Sequence, residues 1–224
     1  AAVVGERTTA SVVQGGVYWR RAIGGLSLNA GAGAGYAWFD GTRRIITGDA
    51  DGNGAADLIR TNNADWTGTT GNAFAGASYQ AAVGRFYARP ELRVDYLYLK
   101  EGERKESGGG SAMDLLIKSR SASNVSGEAA VTFGANFGRD VWIRPEIRVG
   151  YRQSLSGQLD PTIAQFSGGT PFVITPNSQD DGAMTLNLAL RSGTAMSYLA
   201  LEAGAEARKK QKRYNVRLNG RVMF

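Results

Sequence analysis

No cysteine and no histidine occur among the 224 residues. The missing thiols suit an oxidising compartment such as a periplasm or a cell surface. The missing imidazoles remove the commonest general base and the commonest metal ligand. No run of 18 or more apolar residues exists, which excludes a transmembrane helix. Mean hydropathy is slightly negative, and this leaves membrane-crossing strands open, because alternating strands average to a polar composition. Residues 1–9 lack a charged stretch followed by an apolar one, so no signal peptide is read there. What is abundant is glycine, at 31 residues, about twice the usual ~7% share, which argues against a helical protein. The net charge of +6 is spread over arginines that alternate with apolar residues and carboxylates, so nucleic acid is not an expected partner.

The last stretch sets the pattern for the rest. Tyr214, Val216, Leu218, Gly220, Val222 and Phe224 share one parity, and Asn215, Arg217, Asn219, Arg221 and Met223 the other. Strand side chains point alternately to opposite faces, so this is a ribbon with one oily and one polar face. Its length, with an aromatic at each end, suits a strand crossing a bilayer at a tilt. The stretch resembles the C-terminal assembly signal of bacterial outer-membrane barrels, carried here by Tyr214, Val216, Leu218, Val222 and Phe224. That family tends to place a glycine five residues before the terminal aromatic; here Asn219 stands there and Gly220 follows. The alternative is the final strand of a soluble β-domain.

Eight earlier strands are expected. Val17 and Trp19 oppose Tyr18 and Arg20 before a glycine turn at 23–25, which supplies the positive φ of a two-residue hairpin. In Leu26–Phe39, Leu28, Ala30, Ala32, Ala34, Tyr36 and Trp38 share a face. Gly31, Gly33 and Gly35 lie opposite, where they would leave open space in a lumen, and Tyr36 and Trp38 suit an interfacial belt. Residues 41–70 read as a long loop. Alternation resumes over Asn72–Val83 and Phe86–Leu99, either side of Gly84-Arg85. Residues 101–112 read as a charged loop, and 115–123 as an extension of a strand over Val125–Phe137. Trp142–Tyr151, Ala183–Arg191 and Ala195–Arg208 follow, with 153–181 as another long loop. Arg144-Pro-Glu-Ile-Arg-Val-Gly-Tyr151 parallels Arg89-Pro-Glu-Leu-Arg-Val-Asp-Tyr96, which suggests equivalent strands running the same way. Proline donates no N–H, so Pro90 and Pro145 are expected near strand starts at a rim.

Connections alternate short and long, except the brief last one at 209–212. Outer-membrane barrels do this, with short periplasmic turns and long external loops. The expected fold is therefore all-β: an antiparallel up-and-down transmembrane β-barrel over residues 1–224. Nine strands with the first entering from outside would leave the N-terminus on the wrong side, so upstream strands and a longer precursor are expected.

The ensemble resembles the translocator domain of classical autotransporters, the type V secretion barrels of Gram-negative bacteria. The residues that carry the resemblance are Tyr36 with Arg43-Arg44-Ile45, Arg89-Pro-Glu-Leu to Tyr96 with Glu101-Gly102, Leu115-Leu-Ile-Lys-Ser, Ser126-Gly-Glu, the second Arg-Pro-Glu strand and the aromatic end. The resemblance implies a twelve-stranded barrel, of which about nine strands are here. It implies a place in the outer membrane, with lipid, the barrel-assembly machinery and the barrel's own N-terminal passenger as partners. A non-secretory porin-like or structural barrel is the alternative.

Arg89, Glu91, Arg93, Asp95, Arg144, Glu146, Arg148, Glu202 and Arg217 fall on polar parities. A basic side chain facing lipid at midplane costs about 2–4 kcal/mol, so these are expected to line the lumen. They either form a hydrophilic channel for an unfolded passenger or brace the barrel as mutually paired struts. Their carboxylates have arginine neighbours that keep them ionised, which does not suit an acid/base couple. No enzyme is expected: known outer-membrane hydrolases depend on a histidine, and Ser154 or Ser178 would have no recognisable base. No cofactor is required. One local motif fits calcium: Asp49, Asp51, Asn53 and Asp57 put oxygens at loop positions 1, 3, 5 and 9, Gly54 takes position 6, and Ala55 offers its carbonyl. Position 12 is Arg60 where a helix-hand loop has Glu, so shorter surface-repeat calcium loops are the closer match. A polar, turn-rich loop is the alternative.

Overall fold

In the computed structural model the described residues are 3–46, 58–110, 112–176, 182–209 and 211–222. The fold is all-β. Its strands are β1 (Val3–Ile23), β2 (Leu26–Ile46), β3 (Ile59–Tyr79), β4 (Ala81–Val83), β5 (Phe86–Glu101), β6 (Arg104–Lys105) and β7 (Leu115–Ile117). They continue with β8 (Arg120–Ala135), β9 (Trp142–Leu159), β10 (Thr162–Phe166), β11 (Phe172–Ile174), β12 (Gly182–Gly193), β13 (Ser197–Ala207) and β14 (Lys212–Val222). The main sheet runs β1-β2-β3-β5-β8-β9-β12-β13-β14, with β4 on β5. Every neighbour pair is antiparallel, and the sheet curls into a half-barrel with β1 and β14 at its two edges.

The turns follow from glycine chemistry. Gly24 and Gly84 adopt φ of 56° and 60°, the left-handed region in which a Cβ is penalised. A Cβ at Gly84 would meet nothing within 4 Å, so replacement there carries only a conformational cost. Gly84→Ala is expected to lower stability by about 1 kcal/mol, read as a lower urea midpoint of the vesicle-refolded protein.

The two proline motifs are equivalent in space as well as in sequence. The β3–β5 ladder runs to Ser78 opposite Glu91, and the chain pairs again at Ala81 opposite Ala88, skipping the row of Pro90. The β8–β9 ladder runs to Gly134 opposite Glu146 and pairs again at Phe137 opposite Ile143, skipping the row of Pro145. In each case the ring nitrogen has no proton to give the preceding strand. β5 and β9 start from the same end of the sheet.

The strands reach further than the apolar pattern alone indicates. β1, β2 and β3 each hold 21 residues, about 70 Å of chain, whereas 9–11 residues cross a bilayer. The expected loop at 41–70 is therefore corrected: β2 continues to Ile46 and β3 begins at Ile59. On the face that carries Leu28–Trp38, the next residues outward are Asp40, Thr42 and Arg44. That face is polar, and the other mixes Arg43 with Gly41 and Ile45, so no continuous apolar row betrays the extension.

The loops at 101–112 and 153–181 also contain strands, which form a second sheet, β11-β10-β7-β6. Leu115–Ile117 belongs to this sheet and not to β8, although Arg120–Ser123 does begin β8. The second sheet continues the wall. Arg104 opposite Ile117 keeps the register of Glu101 opposite Arg120, and Ala164 opposite Ile117 keeps that of Ala122 opposite Leu159. Asp160 closes the junction, accepting hydrogen bonds from the Ser121 hydroxyl at 2.6 Å and the Ser121 backbone N–H at 2.9 Å. Those two bonds hold its carboxyl below the usual carboxylate range. With the folded value depressed, the stabilisation is complete above the ordinary carboxylate pKa of ~3.9 and fades as pH falls through the folded value. Hydrogen exchange at the Ser121 amide is expected to lose protection below about pH 4, and Asp160→Asn to remove that pH dependence.

Candidate functional site

The register sorts every strand residue onto one of two faces. Arg93 faces Glu128, Glu128 faces Arg152, Arg152 faces Ala183, Thr185 faces Glu206, and Glu206 faces Arg213. This row and its parity mates form a polar face from β1 to β14. The other face carries Leu92, Val94, Ile147, Val149, Leu186, Leu188, Leu201, Val216 and Leu218. The partition is inverted relative to a globular protein. Leu186, Leu201 and Val216 are 41%, 49% and 76% exposed, whereas Glu128 and Thr132 are 5% and 2% exposed. An exposed apolar surface of this extent belongs against lipid.

The polar face is concave, as its side-chain contacts require. Arg148 of β9 reaches over β8 to Glu91 of β5 at 3.0 Å. Tyr87 of β5 donates its hydroxyl to Glu146 of β9 across the same strand. Thr185 of β12 donates to Glu128 of β8 over β9 at 3.1 Å. Strands two apart are separated by about 9.6 Å, so these contacts form because the sheet bends toward them and small residues lie between. Ala130, Gly134 and Gly150 occupy those intermediate positions.

Five of the nine residues expected to line the lumen join two networks of ion pairs and hydrogen bonds, Arg89, Glu91 and Arg148 in one and Glu146 and Glu202 in the other. Arg89 pairs with Glu91 at 2.8 Å, Arg148 bridges Glu91 and Glu128 at 3.0 and 2.7 Å, and Arg152 holds the other oxygen of Glu128 at 2.8 Å. Arg191 links Glu146 to Glu202, the latter at 2.9 Å. Arg93 pairs with Asp95 at 2.7 Å and lies over the Phe74 ring at 4.3 Å. Arg144 donates to Asn136 at 2.7 Å and sits over Trp142 at 5.4 Å. Arg217 is on the same face, opposite Glu202 in register. Glu128, Arg152, Arg191, Tyr87, Thr132 and Thr185 complete the lattice and were not among the nine. Parity marks four of them, Glu128 and Thr132 opposite Val131 and Phe133 on β8, and Thr185 and Arg191 opposite Leu186 and Leu190 on β12. Beside the lattice, Arg20, Asn29, Arg89, Glu91 and Arg148 line a recess of about 580 Å³.

The glycine row needs a correction. Gly31, Gly33 and Gly35 do face inward, but the space above them is occupied. A Cβ at Gly31 would lie 2.6 Å from the Phe74 ring, at Gly33 2.9 Å from Asn72, and at Gly35 2.7 Å from Thr70. Glycine there makes room for neighbouring side chains. On the opposite face Tyr36 and Trp38 meet edge to face at 4.9 Å, at the outer end of the apolar band. Tyr214, Val216, Leu218 and Val222 lie on the apolar face of the edge strand β14, and all are exposed. Phe224 lies outside the described residues, as do Asp49, Asp51, Asn53, Ala55 and Asp57.

An up-and-down antiparallel sheet that is apolar on its convex side and charged on its concave side is the wall of a membrane β-barrel. The model of the autotransporter beta-domain family matches residues 3–219, nearly the whole chain, and the chain belongs to that family. A search of curated proteins finds no match.

Proposed function

We propose that this chain is the outer-membrane translocator wall past which a passenger joined upstream is exported to the surface of a Gram-negative cell. The inverted partition carries the reading. A concave face of arginine–carboxylate pairs, with no continuous apolar row, gives an unfolded chain little to adhere to, while the convex face binds lipid. The runner-up is a barrel whose ion-pair lattice only braces the wall, and the pairing of Glu91, Glu128 and Glu146 with arginines of neighbouring strands favours it in part. An upstream passenger separates the two. In cells making the whole precursor, external protease should digest the passenger while the barrel stays heat-modifiable on gels. A folded barrel with its passenger sheltered in the periplasm would eliminate export and leave the bracing reading.

Two narrower assignments go with this. β14 acts as the assembly signal read by the barrel-assembly machinery, so Phe224→Ser should abolish heat-modifiable barrel in the outer membrane, and undiminished barrel would discard it. The 49–57 segment holds calcium through Asp49, Asp51, Asn53, Asp57 and the Ala55 carbonyl. Calorimetric titration should then give a binding isotherm that Asp51→Ala loses, and equal titrations would remove the assignment.

A further inference from the structure

Beyond Glu101 the chain runs along the free edge of β3, where Asn63 and Ser107 exchange both backbone hydrogen bonds at 2.9 Å. It does not then continue outward. Residues 107–110 and 112–114 fold back onto the inner face of β2 and β3, where Arg43 and Asn62 stand opposite each other. The Met113 carbonyl accepts from Arg43 at 2.7 Å and from Asn62 at 2.9 Å. The Asp114 carboxylate accepts from the Asn62 amide and from the Gly109 N–H, both at 2.9 Å. Glu106 takes two hydrogen bonds from Arg43, one at 3.0 Å, and a third from the Leu115 N–H at 3.1 Å.

The glycines make this fold-back feasible. Gly108 and Gly110 have φ of 99° and 91°, and a Cβ at Gly109 would fall 2.3 Å from the Asn62 amide nitrogen. The segment thus lies flat on a side chain that is 1% exposed. A wall needing only stability would be served equally well by apolar residues here, since buried ion pairs give little net stabilisation. A polar latch differs in one respect: when it opens, water replaces each lost hydrogen bond.

We propose that this glycine-rich segment is a strap lying on the inner wall at the outer mouth of the lumen, latched by Arg43, Asn62 and Glu106, which swings aside to widen the exit. These three are positioning residues for passage. The passenger as the passing chain rests on the function proposed above; the strap itself does not. These 224 residues contain no cysteine, so Asn62→Cys with Gly109→Cys places a single thiol pair in the barrel, at two positions within disulfide reach. The precursor carrying both changes is reconstituted in planar bilayers, with disulfide formation checked by mass spectrometry and folding by heat-modifiability. Oxidised, its single-channel conductance should fall to the wild-type level or below; reduced, with the Asn62 latch gone, it should rise at least about twofold above wild type. Arg43→Gln, which keeps Asn62, should shift conductance the same way as reduction. In cells, surface display of the passenger should stop on oxidation and recover with reductant. Equal conductance in the two redox states, or display indifferent to the lock, would overturn the strap. Absence of display from the unaltered precursor would instead overturn the export function, and the conductance measurement would still decide the strap.

Discussion

Leu188→Arg should lower the stability of the vesicle-embedded protein by about 2–4 kcal/mol, whereas Asn187→Glu, one residue away, should change it by less than ~1 kcal/mol. Leu188 lies mid-strand in β12 on the apolar face, between Ile147 and Ala203. A guanidinium there must sit in hydrocarbon or drag water and headgroups inward. Asn187 points the opposite way, into a recess of about 380 Å³ that it shares with Arg148, Arg152 and Arg213. A carboxylate at that position meets three arginines, the carboxylates of Glu128 and Glu206, and water. Urea titration of vesicle-refolded protein measures both, and equal losses would show that the two faces share one environment.

Glu128→Leu should be the most damaging change on the concave side, at about 3 kcal/mol. Glu128 holds Arg148 with one oxygen and Arg152 with the other, and accepts from Thr185 as well. Its removal leaves two guanidinium groups facing each other where one Nε, that of Arg152, already lacks a partner. Breaking a buried group of charges costs far more than never having built it. Glu128→Gln should cost less, since the amide oxygen still accepts one bond. A Glu128→Leu protein with an unshifted urea midpoint would mean that the lattice carries no stabilisation.

How far the sequence foretells this structure depends on what surrounds each segment. Tyr214–Val222 and Leu28–Trp38 are legible because one face meets lipid and the other water, so the period of two is written in residue type. The paired prolines are legible too, because a missing N–H has the same consequence wherever it falls. Thr61, Asn63 and Asp65 extend β3 without an apolar row, since the wall beyond the bilayer is wet on both sides. The strap latch joins Arg43 to Glu106 across 63 residues, and no local pattern can announce that pairing. For Gly31, Gly33 and Gly35 the sequence shows which side they face but not what covers them, because the ring over Gly31 comes from β3. Membership of the lattice was half legible: parity identifies a concave-face residue such as Glu128, but only the curl of the sheet brings Arg148 and Thr185 to it.

The central claim is that alternate residues of one strand face lipid and water. A single-cysteine scan along β12 from Ala183 to Arg191 tests it directly, with a spin label at each position and the relaxation effects of dissolved oxygen and of a water-soluble nickel chelate as readout. The account predicts a period of two, with oxygen dominating at 184, 186, 188 and 190 and the chelate at 185, 187 and 189. A flat profile, or the same alternation with the two relaxants exchanged, would contradict it.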